Sequence, residues 1–385
     1  MGMKKDTLRV AMIVADEREV LRQWERPDPY FGAAASSIIG GLSGAEELEL
    51  HILSCTRQSL PAPEKIAPNI FYHSIRVPRW GYLKTFYIPA ILAIRRKLRE
   101  IRPQVVHGQG TEREYALAAA YSGFPSVITI HGNMRAIARA MGSRPLSFHG
   151  LAASLENWVL PRIGGVICPS NYTREQVSTR ARRTWTVPNA VSDSFFQNKP
   201  APVSPPELVC VARICNYKNQ NALITALTPL AADHPLQLVF AGGGSDDAYN
   251  SEFRRLIAAR PWCQHVGQID AASLRTLYSR ASLGVLPTLE DNCPMVILEA
   301  AASGLPFAAS RIGGIPDLIE DGVTGTMFDP HNPVDMREKI AALLANTTRL
   351  AAMGAAAKER AERCFRPAVI AAAHMDIYRE IALPF

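Results

Sequence analysis

Along most of the chain, short apolar runs of strand length alternate with segments whose apolar positions recur every three or four residues. That rhythm predicts βαβ units building parallel sheets. In the first half the strand candidates are LRVAMIVA (8–15), LELHILS (48–54), PQVVHG (103–108), PSVITIHG (125–132) and GGVICPS (164–170). The second half continues with ELVCVAR (207–213), LQLVFAGG (236–243), ASLGVLP (281–287) and LPFAAS (305–310). Between the halves, VSDSFFQNKPAPVSPPE carries four prolines and no periodicity, which predicts a linker. The expectation is an α/β chain of two doubly wound, Rossmann-like domains, about 1–195 and 206–365. The terminal helical pattern RPAVIAAAHMDIYREIAL, about 366–385, is expected to cross back onto the first domain. Open parallel sheets hold ligands beyond the carboxyl ends of their strands, where strand order reverses. Two such domains facing an interdomain cleft would bring residues of both onto one ligand.

Composition narrows the class. A chain of 385 residues, 48% hydrophobic and 20% charged, has material for two cores and falls outside the disordered range. The first apolar run, Val10 to Ala15, is too short for a signal peptide or a membrane span, and none is expected later. Seven scattered cysteines with no CxxC spacing read as reduced core thiols, which favours a cytoplasmic location. Charge is uneven: residues 1–190 hold 25 Lys/Arg against 15 Asp/Glu, and the rest hold 17 against 20. A basic half beside a mildly acidic one points to an anionic partner, whether nucleic acid, phospholipid or a phosphorylated substrate.

Three stretches carry candidate chemistry. In LPTLEDNCPMVILEA (286–300), Pro287 ends a strand and Pro294 suits a first helical turn, so 288–293 form a loop at a strand's carboxyl end. At about 1.5 Å and about 100° per residue, Asp291 and Glu299 lie on the order of 12 Å apart and roughly 80° in azimuth, with Glu290 facing roughly opposite. Carboxylates accept hydrogen bonds from sugar hydroxyls and a helix N-terminus attracts phosphate, so the span suits a diphosphate flanked by hydroxyl groups. A salt-bridged helix residue is the plainer reading of Glu299, and a solvated loop acid that of Glu290. In VARICNYKNQNALITAL, Arg213 ends a strand and Lys218 precedes a helix, two cations able to neutralise a diphosphate or simply to be solvated. No GxxxxGK[ST] occurs and no GxGxxG follows a strand; Gly242 to Gly244 read as a tight turn. In SVITIHGNMR, His131 ends a buried strand, where it can meet a substrate hydroxyl or serve structure alone.

Taken together, VLPTLEDNCPMVILEAAASGLPFAASRIGGIPDLIEDGVTGTMFDP with RPQVVHGQG, VITIHG, GVICPSNYTRE, VPNAVSDSFF, VARICNYKN and LYSRASLGVLP closely resembles the retaining glycosyltransferases of family four. The resemblance covers nearly the whole chain and implies their two-lobed GT-B fold. It implies that Arg213 and Lys218 hold the donor diphosphate, Glu299 the ribose hydroxyls, Asp291 the transferred sugar and His131 the sugar or leaving-group region. It also implies that the loop around Gly313 and Gly314 belongs to the same site. Three departures stand out. The family's E-x7-E appears as D-x7-E, with Glu290 one residue early; its glycine-pair loop after the first strand is reduced to Gly32; and its NG-V-D becomes Asn189, Ala190, Val191, Ser192.

What the resemblance implies is sugar transfer from a nucleoside diphosphate sugar, UDP favoured over GDP, to a glycan or lipid-linked glycan, with retention at the anomeric carbon. Such a role belongs to bacterial envelope, lipopolysaccharide or exopolysaccharide assembly. No DxD triplet occurs, so no metal and no obligatory cofactor are expected. Residues 76–102 carry eight Lys/Arg and one acid, with Trp80, Tyr82 and Phe86 beside a core stripe of Tyr87, Ile91, Ile94, Leu98 and Ile101. That mixture suits an anionic membrane surface, on the inner face of the plasma membrane, or merely a solvated helix face. Sugar nucleotide 2-epimerases and a non-catalytic nucleotide-sugar-binding protein are the alternatives. With no recognised RNA or DNA module, nucleic acid is not an expected partner.

Overall fold

The computed structural model describes residues 7–78 and 83–383, with the backbone alone for Lys84. Arg79, Trp80 and Tyr82 lie outside the described residues. The chain divides into two compact units, one of residues 1–190 with 367–385 and one of residues 191–366.

The first unit holds β1 (Leu8–Ile13), β2 (Leu48–Thr56), β3 (Lys65–Ala67), β4 (Ile70–Arg76), β5 (Val105–Gln109), β6 (Ser126–Thr129), β7 (Gly165–Cys168) and β8 (Thr184–Thr186). They form one sheet in the order β3-β4-β2-β1-β5-β6-β7-β8, parallel throughout except for the antiparallel β3–β4 edge. The second unit holds β9 (Glu207–Val211), β10 (Gln237–Ala241), β11 (Cys263–His265), β12 (Leu283–Leu286), β13 (Phe307–Ser310) and β14 (Gly325–Phe328). Its all-parallel order is β11-β10-β9-β12-β13-β14. Strand order therefore reverses between β1 and β5 in one sheet and between β9 and β12 in the other, and the loops after these strands are the places a doubly wound sheet offers a ligand. Each unit is a Rossmann-like α/β domain, as the apolar rhythm predicts.

The continuous apolar character of the strands follows from helices covering both faces. Val10 and Met12 of β1 enter one apolar cluster while Ala11 and Ile13 enter the other, and Val105 and Val106 of β5 divide in the same way. In the second unit Leu208 and Cys210 face one cluster and Val209 the other. The helix Pro367–Ala382 contributes Ile370, Met375, Tyr378 and Ile381 to the first unit's core, beside Ile38, Ile39 and Leu42 of the helix Ala33–Leu42. The two helices meet closely at Gly41, where a Cβ would stand 2.3 Å from the Pro367 carbonyl oxygen, so only glycine fits.

Several expectations are corrected. The division falls at Ala190 rather than 195, because Phe195 and Phe196 pack in the second unit's core. The proline-rich segment is bound to the second unit: the Ala201 and Val203 amides donate to the Ser279 and Arg280 carbonyls at 2.7 and 3.0 Å, and the Asn198 amide to Arg275 and Ser303. Its prolines suppress periodicity without suppressing order. The helix of the opening motif runs Met295–Ala302, and Pro294 caps it instead of occupying its first turn. β6 ends at Thr129, two residues before His131, which lies in the following loop. Ile91 is only half-buried, and Ala90 takes its expected place in the core stripe of the helix Ile88–Ile101. Among the described residues, no single helix is long and apolar enough to cross a membrane.

Candidate functional site

In the second unit the loops after β9 and β12 meet at the strand-order reversal. The Lys218 ammonium forms an ion pair with the Asp291 carboxylate, and only about a seventh of either side chain is exposed. Burial works against the ammonium, yet the charge and hydrogen bond of Asp291 more than offset it, so Lys218 titrates above the ordinary lysine value. The same loops are tied by backbone: the Leu289 amide donates to the Tyr217 carbonyl at 2.6 Å, and the Thr288 hydroxyl to the carbonyls of Tyr217 and Glu290 at 3.2 and 2.8 Å.

A third loop completes this corner. The Gly314 amide donates to the Asp291 carbonyl at 3.0 Å. Gly313 has φ of +53°, and a Cβ there would lie 2.0 Å from that same oxygen, so glycine is required by both conformation and space. Asp291 thus joins the sequence-predicted residues of this corner, its side chain meeting Lys218 and its backbone carbonyl the Gly313–Gly314 loop. Arg213, two residues beyond β9, is exposed; its carbonyl accepts from the Gln220 side chain at 2.9 Å, which fixes the loop while leaving the guanidinium outward. Gly244 pairs by backbone with Ile214, so the glycine turn after β10 buttresses the Arg213 loop.

Glu299 lies one turn into the helix Met295–Ala302 and is 6% exposed. Its carboxylate makes no hydrogen bond or ion pair with any described residue, and burial raises its pKa to about 7. An unpartnered carboxyl group in an apolar helix is costly unless a ligand completes it. The plainer expectation, a salt-bridged helix residue, is corrected: no cation lies in reach among the described residues. Glu290 is half-buried in the loop.

His131 and Gly32 belong to the first unit. His131 Nε2 lies 2.7 Å from Gln109 Oε1, and the Asn189 side chain also hydrogen-bonds the imidazole. An amide oxygen only accepts, so this pair is satisfied with the proton on Nε2. Behind it, Gln109 Nε2 stands 3.3 Å from His107 Nε2, and His107 meets the Tyr378 hydroxyl at 2.7 Å and the Thr129 hydroxyl at 2.8 Å. Burial, with the neighbouring His374, lowers the His131 pKa to about 4, and burial lowers His374 similarly, so these imidazoles are neutral at physiological pH. Gly32 caps the helix Ala33–Leu42, and Glu17 Oε1 is the nearest atom to the place its Cβ would occupy. The loop between β1 and Gly32 is braced by a fully buried Arg18–Asp16 pair at 2.7 Å, with the Tyr72 hydroxyl donating to Asp16.

Sequence reasoning missed Gln109, Asn189, Tyr378 and the Asp16–Arg18 pair. Gln109 and Asn189 stood inside the quoted motifs, and the only available signal was a polar side chain at the carboxyl end of an apolar run.

Two Rossmann-like domains of this construction define the GT-B class of fold. Family models agree, one described as glycosyl transferases group 1 over residues 191–360 and the other as glycosyltransferase family 4 over 44–195. The chain belongs to the group 1 glycosyltransferases of the family 4 type. It is 30% identical over 178 residues to a D-inositol 3-phosphate glycosyltransferase of Corynebacterium kroppenstedtii, covering 44% of this chain. The chain spans only 39% of the length of that relative. Among solved structures, sucrose-phosphate synthase from Thermosynechococcus elongatus superposes with a TM-score of 0.74 at 20% identity, covering 97% of this chain and 99% of that one. Anabaena HepE in complex with UDP and glucose gives 0.70 at 15%, covering 97% and 100%.

Proposed function

We propose that the chain is a retaining, metal-independent glycosyltransferase. It moves a sugar from a nucleoside diphosphate sugar, UDP-linked in preference to GDP-linked, to a glycan or lipid-linked glycan acceptor. The setting is cytoplasmic, in bacterial envelope or exopolysaccharide assembly. The observation that carries this reading is Glu299: a buried carboxyl group with no partner among the described residues, on the helix that follows the Lys218–Asp291 corner.

In this reading Glu299 accepts hydrogen bonds from the ribose hydroxyls while Arg213 and Lys218 neutralise the diphosphate. Arrival of the diphosphate shares Lys218 between two anions and frees Asp291, or its neighbour Glu290, to hold the hydroxyls of the transferred sugar. Gly313 and Gly314 let backbone approach that sugar closely. The bond from the anomeric carbon to the diphosphate oxygen breaks, the bond to the acceptor oxygen forms on the same face, and the acceptor proton passes to the departing diphosphate. The protein supplies orientation and fixed positive charge where negative charge develops. His131, neutral and held by Gln109, donates or accepts a hydrogen bond at a sugar hydroxyl without adding charge. Gly32 and the loop before it are assigned to donor binding. Metal independence is supported by the missing DxD triplet and by two cations already suited to the diphosphate. Preference for UDP is supported by the UDP and glucose held by Anabaena HepE.

Thermal unfolding with a panel of nucleoside diphosphates and their sugars tests the reading. UDP at about a hundred times its dissociation constant should stabilise by about 2.7 kcal/mol, and Glu299→Gln or Lys218→Ala should remove most of that gain. Turnover of the sugar nucleotide should require an acceptor and persist in EDTA. Epimer formation without acceptor would select the epimerase alternative, and binding without transfer or hydrolysis would select the non-catalytic one.

A further inference from the structure

The helix Ile88–Ile101 has two faces of different character. At about 100° per residue, Ala90, Ile94, Leu98 and Ile101 fall together and enter the core, while Ile88, Leu92, Arg95 and Arg99 fall together on the opposite side. On that outer side Ile88 is 54% and Leu92 59% exposed. Just before the helix, Phe86 and Tyr87 both adopt positive φ, +50° and +59°. Two such residues in sequence are costly for L side chains. The result is that Tyr87 is buried as an anchor while Phe86 points outward, 55% exposed.

These side chains border an open groove of about 420 Å³ whose other wall is Leu117, Tyr121, Leu155 and Trp158. Trp158 is half exposed, donates through its indole N–H to the Tyr121 hydroxyl at 2.7 Å, and carries the Arg162 guanidinium 3.7 Å above its ring. The patch thus has an apolar floor, aromatic rings with polar tips at its rim, and cations beyond. Clustered exposed apolar side chains of this size mark a contact surface.

We propose that this face is where the protein docks on an anionic phospholipid bilayer. Phe86, Ile88, Leu92 and Trp158 enter the boundary between headgroups and acyl chains, and Arg95, Arg96 and Arg99 meet lipid phosphates. Charge selects this occupant. Glu100 is the only acid in the sequence of residues 76–102, against eight Lys/Arg by count, and it is already engaged by Lys97 at 2.9 Å. A second copy of the chain docked symmetrically on this face would set the same arginines against each other. An anionic bilayer supplies both partners at once, hydrocarbon for the groove and phosphate for the cations. The inference rests on the proposed lipid-linked acceptor for its purpose, since such an acceptor is presented at a membrane surface.

The test is cosedimentation of the full chain with large unilamellar vesicles of phosphatidylcholine, alone or with about a third phosphatidylglycerol. Binding is expected only with the anionic lipid and should fall steeply between low and high salt. Arg95→Gln with Arg99→Gln should weaken it by more than about tenfold. Ile88→Ser with Leu92→Ser, which leaves charge untouched, should weaken it by about tenfold or more, with the thermal midpoint and UDP binding unchanged. Equal binding to neutral vesicles, full-strength binding by the serine variant, or no vesicle binding at all would overturn the proposal. So would a solution dimer abolished by the serine variant. Because no nucleotide or acceptor enters this assay, its failure and a failure of the transferase reading are told apart by the thermal panel on the same preparation.

Discussion

Glu299 is a carboxyl group whose environment works against its charge. Its pKa stands near 7 in the folded chain because burial disfavours the anion. Between about pH 4.5 and about 7 the folded state therefore binds more protons than the unfolded state. The stability this contributes is complete below the unfolded pKa and is lost as pH rises through the folded one, on the order of 3 kcal/mol in total. Glu299→Gln is expected to flatten the profile of urea-unfolding stability over that window. If the carboxylate accepts both ribose hydroxyls, UDP binding near pH 6 must expel the proton. Calorimetry in two buffers of different ionisation enthalpy should detect a larger release in the native chain than in the glutamine variant, where only the terminal phosphate of UDP can lose a proton. The candidate residues around Lys218 and Glu299 are legible in the sequence because a charge in an apolar helix, or in the loop after a strand, is conspicuous in one dimension. Gln109 and Asn189 are not legible: both lie far from His131 along the chain, and a polar residue after an apolar run names no partner.

At the scale of elements, the central strands are legible because both faces are covered and apolar residues dominate, as in β1, where Arg9 alone breaks the run. The edges are not. β11, of three residues with two exposed, and β14, GTMF, are too short to form a pattern, and β3 with β4 depends on a hairpin partner that sequence does not fix. The helix Pro367–Ala382 is legible by period, but its berth against the helix Ala33–Leu42 rests on a close approach at Gly41. Gly41→Ala would push a methyl group into the Pro367 carbonyl, with the strain shared by two rigid helices. Unfolding stability of the first unit should fall by about 1–3 kcal/mol, measured as a shift in urea midpoint at constant slope. Gly40→Ala, where nothing lies within 4 Å, is the matched control and should be neutral or slightly stabilising.

At the scale of the whole chain, the two units differ in how sequence builds them. The second is one continuous segment, Val191–Arg366, whereas the first needs residues from both ends. Each has its own apolar clusters. A fragment of residues 191–366 is expected to fold alone and retain UDP affinity within about tenfold, since Arg213, Lys218, Asp291 and Glu299 all lie inside it. A fragment of residues 1–190 should lack stable structure by circular dichroism, because Ile370, Met375, Tyr378 and Ile381 would be missing from its core. The divided construction also sets an order of events on the ribosome. At roughly 5–20 residues per second, the first half waits on the order of ten to forty seconds, with part of one sheet face uncovered, while the residues through the helix Pro367–Ala382 are translated. The segment made later is then free to finish first, and the half made first is the one a nascent-chain chaperone would meet.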